Sequence, residues 1–208
     1  MKLHSSMNNE QRRKRCIELL DEVGISQPES RLNNYPHQFS GGMRQRVIIA
    51  IALASNPKLI IADEPTTALD VTIQSQILKL MKRLVTEHDT AMMLITHDLA
   101  VVSEMTDQII VMYCGRIVEK GSRDDIIENC RHPYTLGLLG SIPSLTEKQK
   151  RLNQIPGMVP NILDLPKGCA FAPRCSRFRE KCLSHRPELV QLSSGSNHLA
   201  ACYYPVER

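Results

Sequence analysis

Apolar residues recur along this chain at two spacings. Cys16, Leu19, Leu20 and Val23 fall on one face at helical spacing, which predicts a helix over 11–23 closed by Gly24. Met43 to Ala54 is rich in helix formers and predicts another. Ile73, Ile77, Leu80, Met81 and Leu84 mark an amphipathic helix after Asp70. Unbroken apolar runs mark strands instead. Leu59 to Ala62 runs into Asp63-Glu64, and Ala91 to Thr96 runs into His97. Neither run alternates, so each predicts a strand buried on both faces, as in a parallel sheet covered by helices. Asp98 is placed to cap a short helix reaching Met105. Gln108 to Tyr113 and Arg116 to Glu119 read as paired strands turned at Cys114-Gly115.

Beyond Gly121 the pattern changes. Asp124 to Cys130 predicts a short helix, and His132-Pro133-Tyr134-Thr135 opens another, with Pro133 suited to a first turn. Residues 143–168 read as loop, with Pro143, Pro156, Pro160 and Pro166. Met1 to Glu10 is polar and expected to fray.

Composition narrows the class. The chain has 208 residues, 42% apolar and 23% charged, as in ordinary globular proteins. A net charge of +4 is too mild to imply nucleic acid. Arg12 to Arg15 reads as a solvated helix face. The longest apolar run, Val47 to Ala54, is far short of a membrane span, and Met1 to Arg15 has no export signal's apolar core. Seven cysteines is an odd count. Four of them, Cys169, Cys175, Cys182 and Cys202, come late, which favours thiols and metal ligation over disulfides.

Several short segments carry candidate chemistry. Ligands of open α/β sheets bind beyond the carboxyl ends of strands, where Asp63, Glu64 and His97 fall. A strand-end Asp beside a phosphate holds Mg²⁺ in nucleotide hydrolases. The bland alternative for Asp63-Glu64 is a solvated pair before the Pro65 turn. Ser40-Gly41-Gly42 opens a helix. Its backbone N–H groups suit a phosphate, but a Ser at an N-cap is also an ordinary helix start. Asp70 reads equally as the N-cap of the helix that follows it.

Taken together, Phe39-Ser40-Gly41-Gly42-Met43, Leu59 to Pro65, Ala68-Leu69-Asp70 and Leu94 to Asp98 resemble the ATPase subunit of ABC transporters, over residues 15 to 125. The resemblance implies roles. Ser40, Gly41 and Gly42 would contact the γ-phosphate of ATP held by an opposite subunit. Asp63 would bind Mg²⁺ through water, and Glu64 would be the general base. Asp70 would act between subunits, and His97 would be the switch histidine on the γ-phosphate. The family's signature is L-S-G-G-Q. Here Met43 removes its polar side chain, and Gln45 stands two places late.

Residues 126 to 206, with H-P-Y-T, G-C-A-F-A-P-R-C and H-L-A-A-C-Y-Y-P, resemble the C-terminal extension of dipeptide and oligopeptide importer ATPases. That resemblance implies a [4Fe-4S] cluster on Cys169, Cys175, Cys182 and Cys202, with zinc as the alternative. Spacing alone left zinc or four free cysteines open. The implied fold class is α/β: an incomplete P-loop NTPase core of the ABC type, its sheet mostly parallel and flanked by helices, with an irregular cysteine-rich extension. Its segments are 1–54, part of a helical subdomain with the signature helix; 55–125, the C-terminal part of the ATPase core; and 126–208, the extension.

No Walker A run, G-x-x-G-x-G-K-[ST], occurs in the sequence. The expectation is therefore a truncated subunit, not competent to hydrolyse ATP alone, with a sheet lacking a central strand. The resemblance implies ATP and Mg²⁺ as ligands. Its implied partners are a second, homologous ATPase subunit, transmembrane permease subunits and, indirectly, a peptide-binding protein outside the membrane, with no nucleic acid. The implied location is peripheral, at the cytoplasmic face of the membrane. The alternative is a non-catalytic remnant that binds a partner ATPase subunit and a metal cluster. A soluble ABC protein of DNA repair or translation does not account for the extension.

Overall fold

A computed structural model of the chain describes residues 6–141 and 154–207. Part of the expected loop, 143–153, and residues 1–5 of the expected frayed end lie outside the described residues. The chain forms two compact units, 1–97 and 98–208.

In the first unit, α1 spans Asn9–Glu22. It starts earlier than the apolar period predicts because the cap sets the boundary. The Asn8 side chain accepts the Gln11 N–H while the Gln11 side chain accepts the Asn8 N–H, a reciprocal capping box. Gly24 follows at φ 74°, and the Arg46 guanidinium donates to the Val23 carbonyl at 2.6 Å. A one-turn helix α2, Pro28–Arg31, precedes α3, Gly41–Leu53. Then come β1 (Leu59–Asp63), α4 (Val71–Glu87) and β2 (Ala91–Ile95).

The two strands pair in parallel, Leu59 opposite Ala91 and Asp63 opposite Ile95, as a strand–helix–strand crossover requires. Leu19, Val23, Ile49, Leu53, Ile77 and Leu84 bury against one another beneath Ala62. Ile60, Met92 and Leu94 turn to the same core.

The expectation that both strands are buried on both faces is corrected here. Leu59 and Ile61 are 48% and 62% exposed, and Met93 and Ile95 are 49% and 45% exposed. Helices α1, α3 and α4 cover only one face of the pair. Full burial of a side chain of this size is worth about 1.5–3 kcal/mol, so the uncovered face forgoes much of what these residues could contribute.

The second unit holds α5 (Leu99–Met105), β3 (Gln108–Tyr113), β4 (Arg116–Ser122), α6 (Arg123–Ile127), α7 (Pro133–Gly140), α8 (Lys181–Ser184), β5 (Val190–Gln191) and β6 (Leu199–Ala200). Asp98 caps α5, accepting from Ala100 and Val101. Cys114 and Gly115 both take positive φ, 47° and 76°, the requirement of a two-residue hairpin turn. Strand β4 continues past Glu119 to Ser122, and Ser122 with Asp125 forms a capping box on α6. That helix ends at Ile127, before the expected Cys130.

Strand order is β3-β4-β6-β5, and all three pairings are antiparallel. The sheet is therefore not mostly parallel, as expected from sequence. Among the described residues the first unit has one parallel pair and the second a four-stranded antiparallel sheet. Ile109, Val111, Tyr113, Val118, Ile126 and Phe171 form the second core. The extension is less irregular than expected, since its β5 and β6 complete this sheet.

Candidate nucleotide site and cysteine-lined cavity

The chain leaves β1 through a left-handed residue. Glu64 has φ 46°, a conformation that strains a side chain with a Cβ. Its N–H donates to the Ile95 carbonyl at 2.9 Å, which ties the turn to the end of β2. The bend brings the Glu64 carboxylate to His97. Oε1 lies 2.7 Å from His97 Nδ1 and accepts the His97 main-chain N–H at 3.3 Å. Oε2 accepts the Thr67 hydroxyl at 3.0 Å. These bonds, that of the His97 side chain foremost, hold the Glu64 carboxyl below the usual carboxylate range against the opposing effect of desolvation. The carboxylate is thereby kept ionised, with a lone pair remaining on each oxygen. Asp63 is exposed at the end of β1. Thr67 was not singled out in the sequence, where it is one of two adjacent threonines with no distinguishing pattern.

Ser40 is the N-cap of α3, its Oγ accepting the Met43 N–H at 3.3 Å. Asp70 is the N-cap of α4, Oδ1 accepting the Ile73 N–H at 2.9 Å. Both ordinary capping readings are thus realised. Gly42 has a reason of its own. A Cβ there would stand 2.8 Å from Ile73 Cγ2, and one on Gly41 3.5 Å from Leu69 Cδ2. The glycines let the start of α3 close onto the Leu69–Ile73 segment. The structure thus joins Glu64 to His97 and sets Gly41 and Gly42 against Leu69 and Ile73.

In the second unit the four late cysteines line one cavity, with His132 and Phe171 among its other walls. Gly168 makes this possible. A Cβ there would fall 2.1 Å from the Cys182 carbonyl oxygen, and the neighbouring Cys169 N–H donates to that oxygen at 2.8 Å. Main-chain N–H groups point at the sulfurs: Phe171 and Ala172 toward Cys169, Arg177 toward Cys175, Tyr204 toward Cys202. Burial nonetheless pushes the Cys169 and Cys175 thiols up, and Cys202 to about 11. A bound cation would reverse that, since ligation requires the thiolate. Among the described residues no group of three or more His, Cys, Asp or Glu is arranged to hold a single metal ion.

One buried carboxylate organises this region, and nothing in the sequence marked it. Glu119 is 0% exposed. It accepts the Arg131 N–H at 2.5 Å and the His132 N–H at 3.1 Å, and its Oε1 lies 2.8 Å from His198 Nε2. It so joins β4 to the start of α7 and to the approach of β6. His132 caps α7, Nδ1 accepting the Tyr134 N–H at 3.1 Å. Burial lowers its pKa to about 4, so the ring is neutral. Glu119 and His198 lie 79 residues apart, a separation no local pattern reveals.

Comparison with known proteins places these features. A family model for "ABC transporter" matches residues 1–67, and one for "Oligopeptide/dipeptide transporter, C-terminal region" matches residues 118–182. The chain is 54% identical over 192 residues to "Oligopeptide transport ATP-binding protein AppD" of Bacillus subtilis (strain 168), covering 92% of this chain and 58% of that protein. It is 49% identical over 207 residues to "Dipeptide transport ATP-binding protein DppD" of Escherichia coli (strain K12), covering 100% of this chain and 63% of that one. A solved structure, "Dimeric Structure of MJ0796, a Bacterial ABC Transporter Cassette", is 37% identical and superposes with a TM-score of 0.49 over 57% of this chain and 50% of that one. The chain spans about three fifths of the length of the curated relatives it matches. The chain belongs to the family of ATP-binding proteins of oligopeptide and dipeptide ABC transporters.

Proposed function

We propose that this chain is the energy-coupling ATP-binding subunit of a dipeptide or oligopeptide importer. The observation that carries this reading is the Glu64–His97 pair at 2.7 Å, beyond the carboxyl ends of β1 and β2. There Glu64 takes the proton of the water that attacks the γ-phosphorus of ATP, and ADP leaves with the bond that breaks. His97 contacts the γ-phosphate, and Asp63 would hold the Mg²⁺ that neutralises phosphate charge. Ser40, Gly41 and Gly42 close on the γ-phosphate of a nucleotide carried by a second ATPase subunit, with Asp70 at the junction between the two. The names of the relatives support the transport of peptides. The subunit works peripherally on permease subunits at the cytoplasmic face of the membrane, and a peptide-binding protein delivers the cargo.

The 208 residues hold no Walker A run, and phosphoryl transfer depends on positioning and charge stabilisation that such a loop supplies. These residues therefore do not turn over ATP alone, and a partner subunit supplies the phosphate cradle of the nucleotide that Ser40, Gly41 and Gly42 close on. The test is phosphate release, by the pure chain and by its mixture with an intact homologous ATPase subunit. No turnover alone, and a complex in the mixture that Ser40→Arg abolishes, are expected. Turnover by the pure chain at the rate of an intact ABC ATPase, lost in Glu64→Gln, overturns the incompetence. The absent Walker A favours a second reading, a non-catalytic remnant that binds a partner ATPase subunit and a metal cluster. Failure of the pure chain to bind ATP would support it.

Cys169, Cys175, Cys182 and Cys202 fit a thiolate-ligated [4Fe-4S] cluster. Their shared cavity and the N–H groups aimed at three of the sulfurs support that reading. Four thiolates crowd within a few ångströms around one tetrahedral zinc, whereas in a cluster they stand on four separate irons. Zinc is the alternative occupant of the same four thiolates. When bound, the cluster would cross-link the extension. The assay is iron and sulfide content after purification without oxygen. Loss of iron in Cys175→Ser but not in Cys114→Ser is expected, and a colourless protein with stoichiometric zinc overturns the assignment.

A further inference from the structure

We propose that His132 is a hydrogen-bond donor to the group held by the four cysteines. This rests on reading Cys169, Cys175, Cys182 and Cys202 as thiolate ligands. His132 is 1% exposed and lines the same cavity as all four. Its Nδ1 accepts the Tyr134 N–H, so the single hydrogen of the ring sits on Nε2. Among the described residues no acceptor takes that Nε2 hydrogen. Buried N–H groups are almost always partnered, and His132 lines the cavity that the four cysteines share. The main chain that carries the ring is anchored. Glu119 accepts the main-chain N–H of both Arg131 and His132, and Phe171 packs beside the imidazole at 5.9 Å between ring centroids.

The acceptor this geometry implies is an anionic sulfur. The N–H groups of Phe171, Ala172, Arg177 and Tyr204 already point at three of the four cysteines, and His132 adds a side-chain donor from α7. Hydrogen bonds to sulfur set the reduction potential of such clusters, because they stabilise the more negatively charged, reduced form. His132 is a positioning residue in this sense. It is not a ligand, and the H-P-Y-T segment is linked through it to the cysteine site.

The test uses the full chain, purified without oxygen and reconstituted with ferrous iron and sulfide. His132→Asn keeps a side-chain oxygen to accept the Tyr134 N–H but withdraws the Nε2 donor. A residue that only caps α7 would tolerate this change with no effect on the cluster. The expected result is an unchanged iron and sulfide content and a reduction equilibrium constant lowered by about tenfold or more, the size of one hydrogen bond to a charged group. A fully loaded variant whose reduction equilibrium matches that of the parent overturns the proposal and leaves the cysteine assignment standing. A parent chain that takes up no iron or sulfide overturns both. A second measurement needs no substitution. In iron-free protein labelled with ¹⁵N-histidine, the His132 ring is expected as the Nε2–H tautomer, and an Nδ1–H tautomer overturns the proposal even if the Asn variant fails to load.

Discussion

His97 Nδ1 stands 2.7 Å from Glu64 Oε1, although 33 residues separate the two in the chain. The contact exists because β1 and β2 run parallel in register, Asp63 opposite Ile95, so the residues that follow each strand emerge side by side. Glu64 then turns left-handed at φ 46° and swings its carboxylate across. His97 is the main cause of the lowered Glu64 pKa. Replacing it by Ala is expected to raise the Glu64 carboxyl toward the ordinary carboxylate value. Titration of the ¹³C-labelled carboxyl checks this, and an unmoved midpoint would show that the pairing does not persist in solution.

Gly42→Ala is expected to destabilise the first unit. The new Cβ would meet Ile73 Cγ2 at 2.8 Å, and a β-branched side chain has little freedom to yield. Overpacking costs about 1–3 kcal/mol, against a helix-propensity gain of at most about 1 kcal/mol. Ile73→Leu removes the branch, so the double variant should recover most of the loss. Urea unfolding of the four proteins measures the coupling.

Glu119→Leu strands two main-chain N–H groups, those of Arg131 and His132, and removes the partner of His198 Nε2. Breaking one side of a buried charged network costs about 3–5 kcal/mol. The second unit should unfold at markedly lower urea, while Glu119→Gln, which keeps one acceptor oxygen, should lose less. Equal stability of the Leu variant and the parent would refute the organising role given to this carboxylate.

The iron-free chain should lose stability in mild acid through His132. Folded, this histidine has a pKa of about 4 against an ordinary value of 6.5. Between those values the unfolded chain binds a proton that the folded chain does not, so stability falls as pH falls. The contribution is intact above pH 6.5 and is lost progressively down to about pH 4, in all about 3 kcal/mol. Urea midpoints recorded across that window should slope less steeply in His132→Asn.

Much of the first unit was legible in the sequence because its information is local. Ser40 and Asp70 each cap a helix within three residues of themselves, as does Asp98 in the second unit, whereas the Asn8 cap was not read from the sequence. The 73–84 apolar period fixes the buried face of α4. The two-strand, one-helix order makes the parallel pairing of β1 and β2 the expected one. The cysteine tail was legible as a set of ligand types but not as a cavity.

By itself, then, the sequence determined the caps, the helix faces, the order of strands and the residue types available at each strand end, since each depends on neighbours a few positions away. Only the tertiary structure decided that Leu59, Ile61, Met93 and Ile95 face outward, because burial depends on how many layers are present to cover a strand. It alone brought β6 to β4, turned Glu119 into the anchor of α7 and placed His132 on the wall of the cysteine cavity. Those contacts join residues far apart in the chain, and they form where several weak local preferences are satisfied at once by a single packing.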